Sequence, residues 1–201
     1  MPRTKSEQLE TRRREQLLVA TYSVFARQGF AETSLADIAA SADFSKAMVI
    51  YYFKSKENLL VATFEWITSG ILERLDSCCF GLDRAEPMLR AQLEQLFIST
   101  RRNRRFYHVY LDFLAQSVHN TRLGGVTARF YEGCVSALAK TVSIGMAQGV
   151  FHPCADPQET SSVLGAMMDG LQMQWMFDEE DTFEEYRERC WRGWLTLVKA
   201  S

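Results

Sequence analysis

Residues 30–57 read FAETSLADIAASADFSKAMVIYYFKSKE, and the spacing of apolar and capping residues in this stretch decides how the whole chain is read. Two short helices are predicted, at about 34–42 and 45–52. Ser34 followed by Asp37 has the S-x-x-D form of an N-terminal capping box, and Ser45 can cap the second helix alone. Leu35, Ile38 and Ala39 give the first helix a packing face, and Ala42 is small enough for the two helices to approach closely. Asp43 stands where the turn calls for a left-handed backbone, which Asp and Asn tolerate best among residues that carry a side chain. This is the layout of a helix-turn-helix, with a third element locked beneath the pair. Its second helix would offer Ser45, Lys46 and Ala47 to base edges in a major groove, with Tyr51 and Lys56 reaching phosphates on either side.

Working outward, helical periodicity dominates. Only four prolines occur, at positions 2, 87, 153 and 157, and the intervals between them are free to be helical. The reading is all-α with about nine helices. The first runs from about 8 to 28, with Leu17, Leu18, Val24 and Phe25 on its apolar face and Gly29 as its stop. A long fourth helix covers 56–79, with Leu60, Phe64, Ile67, Ile71 and Leu75 recurring every three or four residues. Five more follow at about 87–102, 104–118, 121–148, 157–178 and 182–199. The stretch GVFHPCADP at 149–157 and the acidic DEED at 178–181 mark turns. Two domains are expected, a helix-turn-helix domain at 1–55 (motif about 34–53) and a helical effector-binding and dimerisation domain at 56–201.

Charge supports that division. The chain carries a net charge of −2, but residues 1–56 hold nine basic and six acidic side chains against fourteen and nineteen in the rest. A basic head on an acidic body suits a head that meets polyanion. The five cysteines, Cys78, Cys79, Cys134, Cys154 and Cys190, are odd in number and show no C-x-x-C spacing. They read as reduced thiols of a cytoplasmic protein rather than a disulfide framework or a zinc site. The start is charged, and no stretch approaches the roughly 18 apolar residues of a membrane span. No metal, cofactor or membrane partner is expected.

The residues from Gly29 to Leu60, with LLVATYSVFARQ before them, resemble the TetR (tetracycline-repressor) family. The shared pattern is glycine–phenylalanine, threonine–serine, isoleucine–alanine, serine, an aromatic pair, phenylalanine, serine–lysine–glutamate and a leucine pair, over about a quarter of the chain. The resemblance implies a homodimeric regulator whose N-terminal domains bind palindromic double-stranded operator DNA and whose C-terminal domains bind a small-molecule effector. Thr33, Ser34, Ser45, Lys46, Ala47, Ile50, Tyr51 and Lys56 are the DNA-contact candidates. Three positions depart from the family: Asp43 replaces a turn glycine, Ala47 a frequent glycine, and Ile50 a common phosphate-binding tyrosine. A branch related to the choline-sensing repressor of betaine synthesis also lacks that tyrosine. For Tyr51, Tyr52 and Phe53, plain packing competes with DNA contact; Tyr52 and Phe53 are assigned to the core and Tyr51 to DNA. Arg12, Arg13 and Arg14 suit either a solvated face or phosphate.

In the body, aromatic and sulfur side chains at helical spacing define faces that suit an effector pocket: Trp66, Tyr107, Tyr110, Phe113, Phe130, Met168 and Trp175. An apolar, aromatic or cationic ligand fits such a lining, with Asp112 or Asp169 as a counter-charge and capping or solvation as the plainer role of each aspartate. The segment GAMMDGLQMQW at 165–175 and the last helix suggest a symmetric four-helix dimer interface through Gly165, Met173, Trp191, Trp194 and Leu195. The alternative is that the last helix packs only onto its own domain. Enzyme readings find little: His108, His119 and His152 are isolated, and there is no H-E-x-x-H, no pair of carboxylates at a distinctive spacing and no glycine-rich phosphate loop. The function expected is a ligand-responsive transcriptional regulator, a repressor released by its effector, cytoplasmic and nucleoid-associated. A transcriptional activator or ligand-independent regulator of the same fold is one alternative, and a small all-α enzyme or cofactor-binding protein another.

Overall fold

The computed structural model describes residues 5–153, 156–180 and 182–199. Cys154, and Asp181 of the acidic turn, lie outside the described residues. Among those described there are nine helices and no strand: α1 Lys5–Glu32, α2 Leu35–Ala42, α3 Lys46–Phe53, α4 Lys56–Ser77, α5 Ala85–Leu96, α6 Thr100–Ser117, α7 Thr121–Ala147, α8 Pro157–Trp175 and α9 Phe183–Val198. No described helix is long and apolar enough to cross a membrane.

The chain forms two compact units, one reaching to Thr68 and taking in Arg105–Thr127, the other made of Ser69–Arg104 and the residues from Ala128 onward. In the first unit α1 packs on α2 and α2 on α3. Leu17, Val24 and Phe25 of α1, Ile38 and Ala39 of α2, Val49 and Phe53 of α3 and Leu59 and Leu60 of α4 are all buried. The expected stop at Gly29 is present as a kink with φ 76° and ψ 168°, after which a short helical turn continues to Glu32. Gly29 is needed there twice over: its φ is left-handed, and a side chain would meet Asp112 Oδ2 at 3.1 Å.

The second unit is built on α8 against α9 and α5 against α9. The break between α5 and α6 falls at Phe97–Ser99 rather than at residue 103, and the cause is a side chain. Asn103 Oδ1 accepts the backbone N–H groups of Ile98 and Ser99, while its Nδ2 donates to the Leu96 carbonyl and to Gln172 Oε1, both at 2.5 Å. A residue suited to end a helix thus caps the start of α6 from inside it. Pro87 lies in the first turn of α5, where its missing N–H has no helical partner to lose. The final crossing is set by Gly193, whose added side chain would meet Met167 Sδ at 2.5 Å, whereas Gly165 and Gly170 face open space.

Candidate nucleic-acid interface

Local chemistry builds the first unit's exposed end. Ser34 caps α2: its hydroxyl oxygen accepts the Asp37 N–H at 3.2 Å, and Asp37 Oδ2 accepts the Ser34 N–H and hydroxyl, each at 2.8 Å. These bonds to Ser34 hold the Asp37 carboxyl below its ordinary pKa. Asp43 ends the helix with φ 58° and ψ 44°, the left-handed turn expected of it, and its N–H closes onto the carbonyls of Ala39 and Ala40. Ser45 then caps α3 by accepting the Met48 N–H at 3.2 Å.

The side chains of α3 divide by face. Val49 and Phe53, four residues apart, are buried, and Met48 and Tyr52 are half-buried. Lys46, Ala47, Ile50 and Tyr51 point outward on the opposite face, with Ile50 41% and Tyr51 64% exposed. Lys54 closes the helix with φ 68° and ψ −39°, and the Ser55 N–H donates to the Phe53 carbonyl at 2.8 Å across it. This is a three-residue turn of the rarer, positive-φ kind, carried by a lysine that gave no sign of it in the sequence.

Not every candidate lies on that face. Thr33 is only 3% exposed, and its hydroxyl donates to the Gly29 carbonyl at 2.6 Å; its side chain fastens the end of α1 and is unavailable to DNA. The Ser34 hydroxyl is exposed but already engaged with Asp37. Lys56 is half-buried, its Nζ 4.2 Å from the Phe30 ring centroid and donating to the Ala31 carbonyl at 3.3 Å. Burial lowers its pKa, and the nearby carboxylates of Glu32 and Asp37 work against that shift. Arg14 lies over the Phe53 ring at 4.4 Å and donates to the Tyr52 carbonyl at 3.4 Å, pinning α1 to α3. Arg12 and Arg13 are exposed and meet no partner among the described residues.

Two contacts across long sequence separations escaped the sequence. Asp112 of α6 accepts the Phe30 N–H at 2.8 Å, which fastens one of its oxygens to the end of α1. Arg105 donates to Ser23 Oγ at 2.7 Å and lies over the Tyr22 ring. Neither has a local signal, since each pair is separated by 82 residues.

Of the pocket candidates, Trp66, Tyr107, Tyr110 and Phe113 belong to the first unit. There Phe64 stacks on Phe113 with centroids 3.6 Å apart, Tyr110 lies 6.0 Å from Phe64, and Tyr107 meets Tyr110 edge-on. Trp66 is half-buried. In the second unit Phe130, Met168 and Trp175 are buried, with the Arg104 guanidinium 4.9 Å above Trp175 and Phe183 tilted against it at 4.7 Å. Of the interface candidates, Met173 is exposed, while Gly165, Trp191 and Leu195 are half-buried. Trp194 is a correction. It is 0% exposed and its indole N–H donates to the Leu164 carbonyl at 2.9 Å, so it packs inside its own chain and has no surface to offer a second one.

Comparison with known proteins agrees with this geometry. Residues 17–63 match the tetR family of bacterial regulatory proteins, and residues 85–197 match the C-terminal domain of BetI-type transcriptional repressors. The chain belongs to the TetR family, in its BetI-type branch. The HTH-type transcriptional regulator BetI of Escherichia coli O17:K52:H18 is 31% identical over 173 residues, covering 81% of this chain and 82% of its own. A transcriptional regulator of Saccharomonospora viridis, solved in complex with choline, shares the fold with a TM-score of 0.86 at 21% identity, over 95% of this chain and all of its own. The SmeT–triclosan complex shares it with a TM-score of 0.76, also at 21% identity, over 94% and 92%. The protein is thus a transcriptional regulator of a repressor family that is not enzymatic, and its family binds operator DNA and small-molecule effectors.

Proposed function

We propose that the protein is a homodimeric repressor in which residues 1–55 read a palindromic operator while residues 56–201 dimerise and bind the effector that releases it. The observation that carries this reading is the outward face of α3: a lysine, an alanine, an isoleucine and a tyrosine held in water on a helix whose other face is core. An exposed isoleucine beside an exposed tyrosine on one short helix is ill suited to solvent and well suited to base edges and sugar. Ser45, Lys46, Ala47 and Ile50 are assigned to bases and Tyr51 to phosphate. Lys56 reaches phosphate on leaving Phe30. One reading head makes few contacts, so two are needed, about one DNA turn or slightly more apart.

Dimerisation is assigned to α8 and α9 through Gly165, Met173, Trp191 and Leu195. The support is apolar surface left in water on the same helices, at Val163, Met173 and Leu197, together with the unfilled space over Gly165 and Gly170. The effector is proposed to be a quaternary ammonium ion or a small apolar or aromatic compound, of the kinds that aromatic side chains recognise. The choline and triclosan complexes of relatives support both classes, and Arg104 over Trp175 is a cation-on-indole contact of the kind a quaternary ammonium would make. Action at the chromosome in the cytoplasm goes with this role.

Footprinting and sedimentation on the DNA upstream of the protein's own gene test the proposal. Protection of a two-fold symmetric site by a dimer is the expected result, and a monomer protecting one asymmetric site would overturn it. In the same assay choline, followed by tryptophan fluorescence, is expected to bind more weakly when operator is present.

A further inference from the structure

The turn after α4 reads Ser77-Cys78-Cys79-Phe80-Gly81-Leu82. Its backbone is fixed on both sides of the cysteines. The Cys78 N–H donates to the Arg74 carbonyl, Phe80 to Ser77 and Leu82 to Cys79, at 2.9 to 3.1 Å, and Gly81 closes the turn with φ 79°. Neighbouring side chains in an extended strand point to opposite faces, whereas in a helical turn they diverge by only about 100°. The two sulfurs accordingly lie 3.9 Å apart. Both residues are half-buried, and besides meeting each other their thiols contact carbonyls, Cys78 that of Leu75 at 3.2 Å and Cys79 those of Leu75 and Met88 at 4.0 and 3.8 Å. Phe80 beside them is 93% exposed.

We propose that Cys78 and Cys79 form a two-thiol binding site for monosubstituted trivalent arsenicals, R–As(OH)2. The separation selects this chemistry over its rivals. A direct disulfide needs sulfurs at about 2.05 Å, which the hydrogen-bonded turn opposes. One soft atom held by two sulfurs at about 2.3 Å, the length of a zinc–thiolate bond, spans roughly 3.3 to 3.8 Å between them, close to what the turn already provides. Zinc itself requires four ligands, and no group of three or more His, Cys, Asp or Glu residues suited to a metal exists among the described residues. A monosubstituted arsenical asks for two thiols and brings its third bond with it, and the exposed Phe80 ring offers an apolar neighbour for an organic R group. In the reaction two As–O bonds break and two As–S bonds form, and the two thiol protons leave with the two oxygens as water. Arsenic stays trivalent, and no oxidant or reductant is consumed. Burial and the neighbouring Cys79 thiol push Cys78 up to about 12, so it stands as the protonated thiol whose proton leaves in the water released.

The test uses the full-length protein with one equivalent of phenylarsine oxide, followed by intact mass measurement and tryptic mapping. One phenylarsenic group is expected on the peptide spanning residues 75–84, surviving excess glutathione and removed by 2,3-dimercaptopropanol. Cys78→Ser and Cys79→Ser are each expected to abolish the glutathione-resistant adduct, and Cys134→Ser to retain it. Loss of the adduct to glutathione in the unsubstituted protein, mapping to another peptide, or retention in either single variant would overturn the proposal. The glutathione and mapping arms need no variant and stand whether or not the serine proteins fold.

Discussion

Helices α3 and α9 both read, in sequence, as offering side chains to a partner, yet the structure uses them in opposite ways. α3 keeps Ile50 and Tyr51 in water although its eight residues are almost all apolar, because Ser45 and the left-handed Asp43 fix the direction in which it projects. α9 takes one of its two tryptophans, Trp194, wholly inside, where the Leu164 carbonyl satisfies the indole N–H. An apolar residue on a helix is therefore no guide to its use until the neighbouring helices are known. Exposure fixed by local capping leaves a face free for a partner, and burial with the polar handle satisfied marks packing.

Substitutions at the two helices should separate cleanly. Trp194→Ala is expected to cost about 3–5 kcal/mol of stability through the cavity and the orphaned carbonyl, seen as an early denaturant midpoint and lost helicity. A clean, fully helical monomer from this variant would return Trp194 to the interface. Next in size is Asp112→Ala, which strands the Phe30 N–H and is expected to destabilise by about 1–3 kcal/mol, read by thermal unfolding. Lys46→Ala on α3 should leave unfolding unchanged while weakening operator binding by about 1–3 kcal/mol in a titration at fixed salt.

The smallest effect concerns pH. Hydrogen bonding and charge from Arg90, which reaches Glu188 at 2.6 and 3.1 Å, hold the Glu188 carboxyl below its ordinary value. A depressed folded-state pKa adds stability above the unfolded value that is lost as pH falls through the folded one. Both side chains are partly exposed, so about 0.2–1 kcal/mol is expected. Melting of Glu188→Gln against the unsubstituted protein should show a gap at neutral pH that closes under acid.

What could be read from the sequence follows the same contrast. The caps at Ser34 and Ser45, the turn at Asp43 and the outward Lys46 and Tyr51 were legible, because each depends on residues within four positions of itself. Thr33 was misread because one hydroxyl bond back to Gly29 and the packing around it decide its burial. The α5–α6 break was displaced because Asn103 caps its own helix, a role the apolar period does not register. Asp112, Arg105 and Trp194 all depend on partners 30 or more residues away. Their side chains carried the right chemistry, but only the tertiary fold chose the partner.

The central claim, that the outward face of α3 reads the operator, is tested most directly by the affinity of Lys46→Ala/Tyr51→Ala for the DNA upstream of its own gene, measured by fluorescence anisotropy beside thermal unfolding. The account predicts an affinity at least about tenfold lower with the melting temperature unchanged. Unaltered affinity in a folded protein would contradict it.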